Sequence, residues 1–269
     1  MCRLFALRAN QPTCVRGSLL LSPTSLDRQS VCDLRRQSHD NGWGIGYYVG
    51  DEVRRVRSER AAHDDPAYRG LAETVAAPTV LAHVRSASMG AVAVCNSHPF
   101  VYGRWLFAHN GTLFGFPRVR ERLRGLIPPA LLACVEGDTD SEHAFYLVLG
   151  RLGDAAGRPG PEEVCRAVAE TTRLLHDLCP GEGGEASQFN FVLTDGRLLV
   201  ASRWGHTLSW LRRTGRDPSG LDGPLEERPG YQAVAVTSEP TTEEAWSEIP
   251  DRTLLCVDAD LHVTMMPLA

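Results

Sequence analysis

Apolar positions along this chain recur with two periods, one near two residues and one near 3.6, and the two alternate from N- to C-terminus. WGIGYYV (43–49), the pair Gly50-Asp51 and VRRVR (53–57) have the pattern and turn residues of a β-hairpin. Pro66 opens a stretch to Ala76 that predicts a helix, followed by a largely buried strand in TVLAHVR (79–85) and another strand over 104–110. Thr139-Asp140-Ser141-Glu142 has the form of a capping box and precedes Phe145, Val148, Leu149 and Leu152 at helical spacing. A second helix opens at Pro161, carries Val164, Val168, Thr171, Leu175 and Leu178 on one face, and stops at Pro180-Gly181. The last third is mainly β. NFVLT (190–194), Asp195-Gly196 and RLLVASRW (197–204) form a second hairpin signal, and strands follow at 208–213, 231–237 and 252–258.

The polar segment 214–230 is read as a surface loop, since the roughly 40 residues after it are fewer than usually fold alone. The count predicts an α+β fold of two sheets and two pairs of helices, with residues 1–269 as one domain.

Composition narrows the function classes. A net charge of −5 gives no electrostatic footprint for nucleic acid or an anionic membrane surface. The first twelve residues are too short and polar for a signal peptide, and no apolar run of roughly 18 residues exists, so a cytoplasmic protein is expected. Eight cysteines are scattered without a CxxC pair, and nine histidines form no HExxH-type cluster, so no metal is expected. Reduced, buried cysteines are the ordinary outcome in such a compartment.

Cys2 is the exception worth pursuing. Removal of Met1 would leave a thiol and a free α-amine on one carbon. An α-amine titrates at about 7.7–8.0 and can act as the base for its own thiol.

Four downstream segments carry further chemistry. In His83-Val84-Arg85-Ser86-Ala87-Ser88, His83 and Arg85 share a strand face, and a buried Arg85 calls for a carboxylate, either internal or on a substrate. Asn96-Ser97-His98-Pro99-Phe100 reads as a turn leading into a strand. His109-Asn110-Gly111 places a carboxamide beside an unencumbered backbone N–H. That is compatible with an ordinary turn or with an oxyanion hole, where losing one donor costs about 2.7–4 kcal/mol. Asp140 falls in the first turn of a helix, where the dipole alone accounts for a carboxylate and a substrate ammonium would suit it equally well.

Cys2, His-x-Arg-x-Ala-Ser, Asn-x-His-Pro, His-Asn-Gly and Asp-Thr-Asp-Ser-Glu, in that order, resemble the class II glutamine amidotransferases, which are N-terminal nucleophile (Ntn) hydrolases. The match is closest to the short subgroup that includes the amidase of ergothioneine biosynthesis, and NFVLTDGR (190–197), SEP (238–240) and Trp246 extend it over nearly the whole chain.

The resemblance implies a four-layer αββα sandwich and no cofactor. It implies Cys2 as nucleophile with its α-amine as base, and Asn110 and the Gly111 N–H as oxyanion donors. Arg85, with Ser88 nearby, would bind a substrate α-carboxylate, and Asp140 the α-ammonium. His83, His98 and His109 would shape the pocket. The implied substrate is glutamine or a γ-glutamyl amide, including a thiol or sulfoxide conjugate. No residues are left over for an acceptor domain, so released ammonia would go to a separate synthase subunit or to solvent. A non-catalytic Ntn-fold binding protein is the alternative from another class. Asn41 departs from the pattern, since relatives often carry Asp before Gly-Trp-Gly, and Ser88 stands where they often carry Thr or Asn.

Overall fold

The computed structural model describes residues 2–153, 157–217 and 226–268. In chain order the strands are β1 Arg3–Cys14, β2 Trp43–Val49, β3 Glu52–Ser58, β4 Ala76–Val84, β5 Phe100–Tyr102, β6 Trp105–Thr112, β7 Gly181–Glu182, β8 Glu185–Ala186, β9 Gln188–Thr194, β10 Leu199–Arg203, β11 Ser209–Asp217, β12 Glu226–Thr237, β13 Ser247–Glu248, β14 Thr253–Val257 and β15 Val263–Pro267. The α-helices are α1 Leu26–Val31, α2 Pro66–Thr74, α3 Phe116–Arg124, α4 Pro129–Leu132, α5 Asp140–Leu152 and α6 Pro161–Leu178.

Two antiparallel sheets pack face to face. The first has the order β13-β11-β12-β1-β4-β2-β3 and the second β15-β14-β10-β9-β6-β5. Side-chain alternation on β1 explains the layering. Phe5, Leu7 and Ala9 face outward into a core shared with Leu26, Tyr68 and Ala72 of α1 and α2. Leu4 and Ala6 face inward, against Leu106, Ala108, Val192, Leu199 and Leu255 of the second sheet. That sheet's outer face, with Phe107, Phe191, Leu193 and Val200, packs on Phe145, Val148 and Leu149 of α5 and on Val164, Val168 and Leu175 of α6. The result is helix, sheet, sheet, helix, the αββα sandwich expected from the sequence.

The hairpin at 43–58, helices α5 and α6, and the β9–β10 pair fall where the apolar periodicity puts them. Other expectations are corrected. The 214–230 segment is not simply a loop, because β11 runs to Asp217 and β12 starts at Glu226, and residues 218–225 lie outside the described residues. The helix from Pro66 ends at Thr74, and Ala76 already belongs to β4. Among the described residues α3 and α4 add to the two expected helix pairs. The capping box forms by half: Thr139 Oγ1 accepts from the Glu142 N–H at 3.2 Å, while the Glu142 carboxylate reaches back to the N–H groups of Glu136 and Gly137. No described helix is long and apolar enough to cross a membrane.

Candidate active site

Cys2 sits immediately before the central strand β1, and its Sγ lies 3.4 Å from both the backbone N and the O of Ser86. Arg3 fixes this end of the chain. Its guanidinium donates to the Cys2 carbonyl at 2.9 Å, to Asp33 Oδ2 at 2.5 Å and to Glu239 Oε1 at 2.6 Å, all in a buried setting. Asp33 in turn accepts from His39 at 3.2 Å and from the N–H groups of Arg35 and Gln37, and Glu239 accepts from the N–H of Leu34. The network therefore ties the segment after α1 to the start of β1 and the end of β12. No local spacing announces it, since its members are 30 and 236 positions from Arg3.

The strand β4 delivers the next residues. His83 lies on its inter-sheet side, and Arg85 follows directly after its end. The Arg85 guanidinium is buried but meets no carboxylate among the described residues. It donates to the carbonyls of Met89, Gly90 and Ala91 at 2.8, 3.5 and 3.0 Å, folding the loop after β4 back on itself. The internal salt bridge that the sequence suggested is thus absent among the described residues, and carbonyl dipoles solvate the charge instead.

Asn41 supports the same loop. Its N–H donates to the Arg85 carbonyl, and its Oδ1 accepts from the Ala87 N–H at 2.9 Å. A carboxamide oxygen can accept this N–H as a carboxylate oxygen would, so Asn keeps the contact an Asp would make, without the charge.

From the second sheet, β6 contributes His109, Asn110 and Gly111. Asn110 Nδ2 donates to Ser238 Oγ at 2.9 Å. Gly111 is required sterically, because a Cβ would lie 1.8 Å from the Gln188 carbonyl oxygen. Thr112 Oγ1 lies 2.7 Å from Ser88 Oγ, joining the end of β6 to the Arg85 loop. Asp140 opens α5, and its buried carboxylate accepts from the N–H of Leu113, the N–H of Ser141 and the Ser141 hydroxyl. The same hydroxyl lies 2.9 Å from His109 Nδ1.

Cys2, Arg85, Ser88, Gly111 and Asp140 line one small pocket of about 20 Å³, together with His98, His109, Met89 and Ser141. Asn110 is buried beside it and does not line it. A volume of that size suits about one water. A second, open cavity of about 800 Å³ shares Ser88 and Met89 with this pocket and is lined further by Arg35, Gln37, Phe114, Glu185 and Gln188. The sequence reading found Cys2, Arg85, Ser88, Gly111 and Asp140. It missed Arg3, Asp33 and Glu239, and left unassigned the Asn96 amide that donates to the Ala91 carbonyl and to Asp138. Among the described residues, one group of metal-ligating types, Asp258, Asp260 and His262, lies on the β14–β15 turn, where Asp258 already accepts from the N–H groups of the other two.

Burial decides the protonation states. The Cys2 thiol is pushed up by desolvation, against opposing pulls from the Ser86 backbone and the Arg85 and Arg3 charges. His83 is pushed down to about 3 by burial and the Arg85 charge, and it packs on His98 with ring centroids 4.2 Å apart. His98 is held well below its ordinary value by burial, and His109 is lowered for the same reason. All three imidazoles are poor proton acceptors at neutral pH, and the thiol is protonated there.

A pH dependence of stability follows. His83 is shifted to about 3, His39 to about 4 and His206 to about 3, each chiefly by burial. An unfolded histidine binds its proton near pH 6.5. The unfolded chain therefore holds more protons between the two values, and the stability present above about pH 6.5 is lost as pH falls toward 3–4. Each group contributes a slope of up to about 1.4 kcal/mol per pH unit in that window. Urea midpoints should fall from about pH 7 to about pH 5, and His83→Gln should flatten the slope; midpoints independent of pH over that span would refute the buried neutral histidines.

The family model for glutamine amidotransferases of class II matches residues 1–266. The γ-glutamyl-hercynylcysteine sulfoxide hydrolase of Mycolicibacterium smegmatis is 32% identical over 275 residues, covering 100% of both chains. Among solved structures, a glutamine aminotransferase class-II domain protein from Silicibacter pomeroyi superimposes with a TM-score of 0.65 at 20% identity, covering 98% of each chain. The glutamine phosphoribosylpyrophosphate amidotransferase of B. subtilis gives 0.66 at 12% identity, covering 99% of this chain and 49% of that one. The two structures establish a shared fold, and the family model and the M. smegmatis relative establish kinship: this chain belongs to the class II glutamine amidotransferases.

Proposed function

We propose that the chain, processed to expose the α-amine of Cys2, hydrolyses γ-glutamyl amides through a Cys2 thioester, with residues 1–269 acting as one amidohydrolase domain. The observation that carries this reading is a buried, protonated thiol in a pocket whose imidazoles, His98 and His109, are too weakly basic to deprotonate it. A nucleophile so placed needs another base, and an α-amine on the same residue meets the requirement near neutral pH.

In the first half-reaction the amine takes the thiol proton and Sγ attacks the γ-carbonyl carbon. The C–N bond of the tetrahedral adduct then breaks as the ammonium returns the proton to the leaving nitrogen. In the second half-reaction the amine takes a proton from water, the hydroxide adds to the thioester, and the thiolate leaves and is reprotonated, releasing the γ-carboxylate. The Gly111 N–H and the Asn110 carboxamide would stabilise both oxyanions. Arg85 would trade carbonyl contacts for the substrate α-carboxylate, and Asp140 would hold the α-ammonium, with Ser88 beside them.

The leaving group proposed here is larger than ammonia. The cavity of about 800 Å³ adjoining the pocket offers room for it and presents a cation, amides and an aromatic ring through Arg35, Gln37, Gln188 and Phe114. The M. smegmatis relative, 32% identical along its full length, carries a name that specifies a γ-glutamyl sulfoxide conjugate. Free glutamine fits the same chemistry but leaves that cavity unused. We therefore propose a γ-glutamyl thiol or sulfoxide conjugate as substrate.

Three outcomes test this reading. Intact mass should show loss of Met1 and a single adduct on Cys2 after 6-diazo-5-oxo-L-norleucine, and Cys2→Ala should take no adduct and have no turnover. Activity in Cys2→Ala would sink the mechanism. Arg85→Ala should raise KM for the γ-glutamyl substrate by about tenfold or more, as loss of a charged contact predicts, with kcat less affected. An unchanged KM removes the carboxylate contact. Finally, kcat/KM for a γ-glutamyl sulfoxide conjugate should exceed that for glutamine by at least about tenfold. Equal values would favour simple glutaminase chemistry feeding ammonia to a separate synthase.

A further inference from the structure

Ser238 lies just past the end of β12 in the first sheet, yet its hydroxyl joins two strands of different sheets. Its Oγ accepts the backbone N–H of Leu4 in β1 at 3.1 Å and the Nδ2–H of Asn110 in β6 at 2.9 Å. The Ser238 N–H also donates to the Leu4 carbonyl at 3.1 Å, so the residue engages both the N–H and the C=O of Leu4. Asn110 is 2% exposed, and its Oδ1 is buried without a hydrogen-bond partner among the described residues. The carboxamide is therefore held in orientation by the single contact from Nδ2 to Ser238. Terminal amide torsions are broad and roughly two-fold, so packing alone does not choose between presenting nitrogen and presenting oxygen.

We propose that Ser238 is a positioning residue: it orients the Asn110 carboxamide as a donor and sets it in register with Cys2, two residues before Leu4. The proposal rests on the thioester reading above. With Ser238 Oγ accepting, the amide must present NH₂ toward β1, and its second N–H remains for an oxyanion. Without that acceptor the amide is free to turn over, and an oxygen facing the developing negative charge would oppose the reaction.

The chain of contacts from Cys2 through Arg3 and Leu4 to Ser238 and Asn110 has only one step that is not covalent on each side of the hydroxyl. A displacement of the nucleophile strand is thus carried to the oxyanion donor. The sequence Ser238-Glu239 places this pin beside the carboxylate that grips Arg3, so one turn holds both the strand and the donor.

The test is a kinetic cycle on the processed full-length chain, with a γ-glutamyl amide as substrate. Ser238→Ala should lower kcat by about 10- to 100-fold, less than the 10²–10³ typical of outright loss of an oxyanion donor, with KM within about threefold. In an Asn110→Ala background the same substitution should change kcat by less than about twofold, because its target is gone. A kcat of Ser238→Ala within twofold of the parent, or effects that multiply in the double variant, would overturn the proposal. A loss caused by general misfolding would multiply in that way.

A second readout needs no turnover. In selectively ¹⁵N-asparagine-labelled protein, the Asn110 side-chain NH₂ pair should shift and exchange faster in Ser238→Ala. An unchanged pair overturns the positioning role. A shifted pair in a parent that cleaves no γ-glutamyl amide would leave the role standing and remove the hydrolase reading.

Discussion

The buried guanidinium of Arg3 is the contact on which the rest of this site depends. A chain terminus ordinarily frays unless something ties it down. Here the first charged side chain of the sequence is held between two carboxylates, Asp33 and Glu239, and spends another donor on the Cys2 carbonyl. Removing one partner of such a buried pair typically costs about 3–5 kcal/mol, because the other charge is stranded. The arrangement is thus conformationally strict even where its net stabilisation is small. It fixes the backbone of Cys2, the entry of β1 into the middle of a seven-stranded sheet, and the turn carrying Ser238. His39, kept neutral by burial and the Arg3 charge, completes the shell as a donor to Asp33.

With the start of β1 fixed, the two-sheet stack brings the remaining groups to it. The end of β4 supplies Ser86 and Arg85, the end of β6 supplies Gly111, and the first turn of α5 supplies Asp140. These pieces are held to one another by short polar bridges: Ser88 to Thr112, Asp140 to Leu113, Asn41 to Ala87 and Ser238 to Asn110. Each bridge crosses between elements that are distant in sequence. The pocket is therefore a property of sheet registration more than of any one loop.

This also explains what could be read from the sequence. The hairpin at 43–58 and helices α5 and α6 were legible because their periodicity and turn residues are local. β1 was not, because Arg3 and Arg8 interrupt its apolar alternation. Arg3 is satisfied by Asp33 and Glu239, and Arg8 by the carbonyls of Arg197 and Ala259, partners no local window contains. Helix α1 was missed because Asp27, Gln29 and Ser30 are polar yet buried. Five of the six expected site residues share the pocket, since the ordered motifs specify positions well. Of the two carboxylates the sequence offered Arg85, the internal one is absent among the described residues because loop carbonyls, invisible in a sequence, take its place.

That substitution has a chemical consequence. Arg85 and Asp140 are both buried, and the contacts solvating them are largely neutral dipoles: carbonyls for the cation, and N–H groups with a hydroxyl for the anion. An internal Arg–Asp pair would have cancelled both charges and closed the pocket to a zwitterion. Dipoles satisfy the hydrogen-bonding demand of a buried charge without neutralising it. Under the proposed hydrolase reading, the pocket so keeps a positive and a negative pole ready for the α-carboxylate and α-ammonium of a glutamyl group. The bonds surrendered on binding are to neutral loop carbonyls, and those gained pair two opposite charges and are stronger. The same charges bear on the thiol: Arg85 favours the thiolate, whereas desolvation disfavours it more strongly. A thiol left protonated until substrate is in place is shielded from adventitious oxidation, since reactivity follows thiolate character. In this account the binding of a γ-glutamyl group between Arg85 and Asp140 is what sets its γ-carbonyl against the thiol, whose base is carried on the same residue.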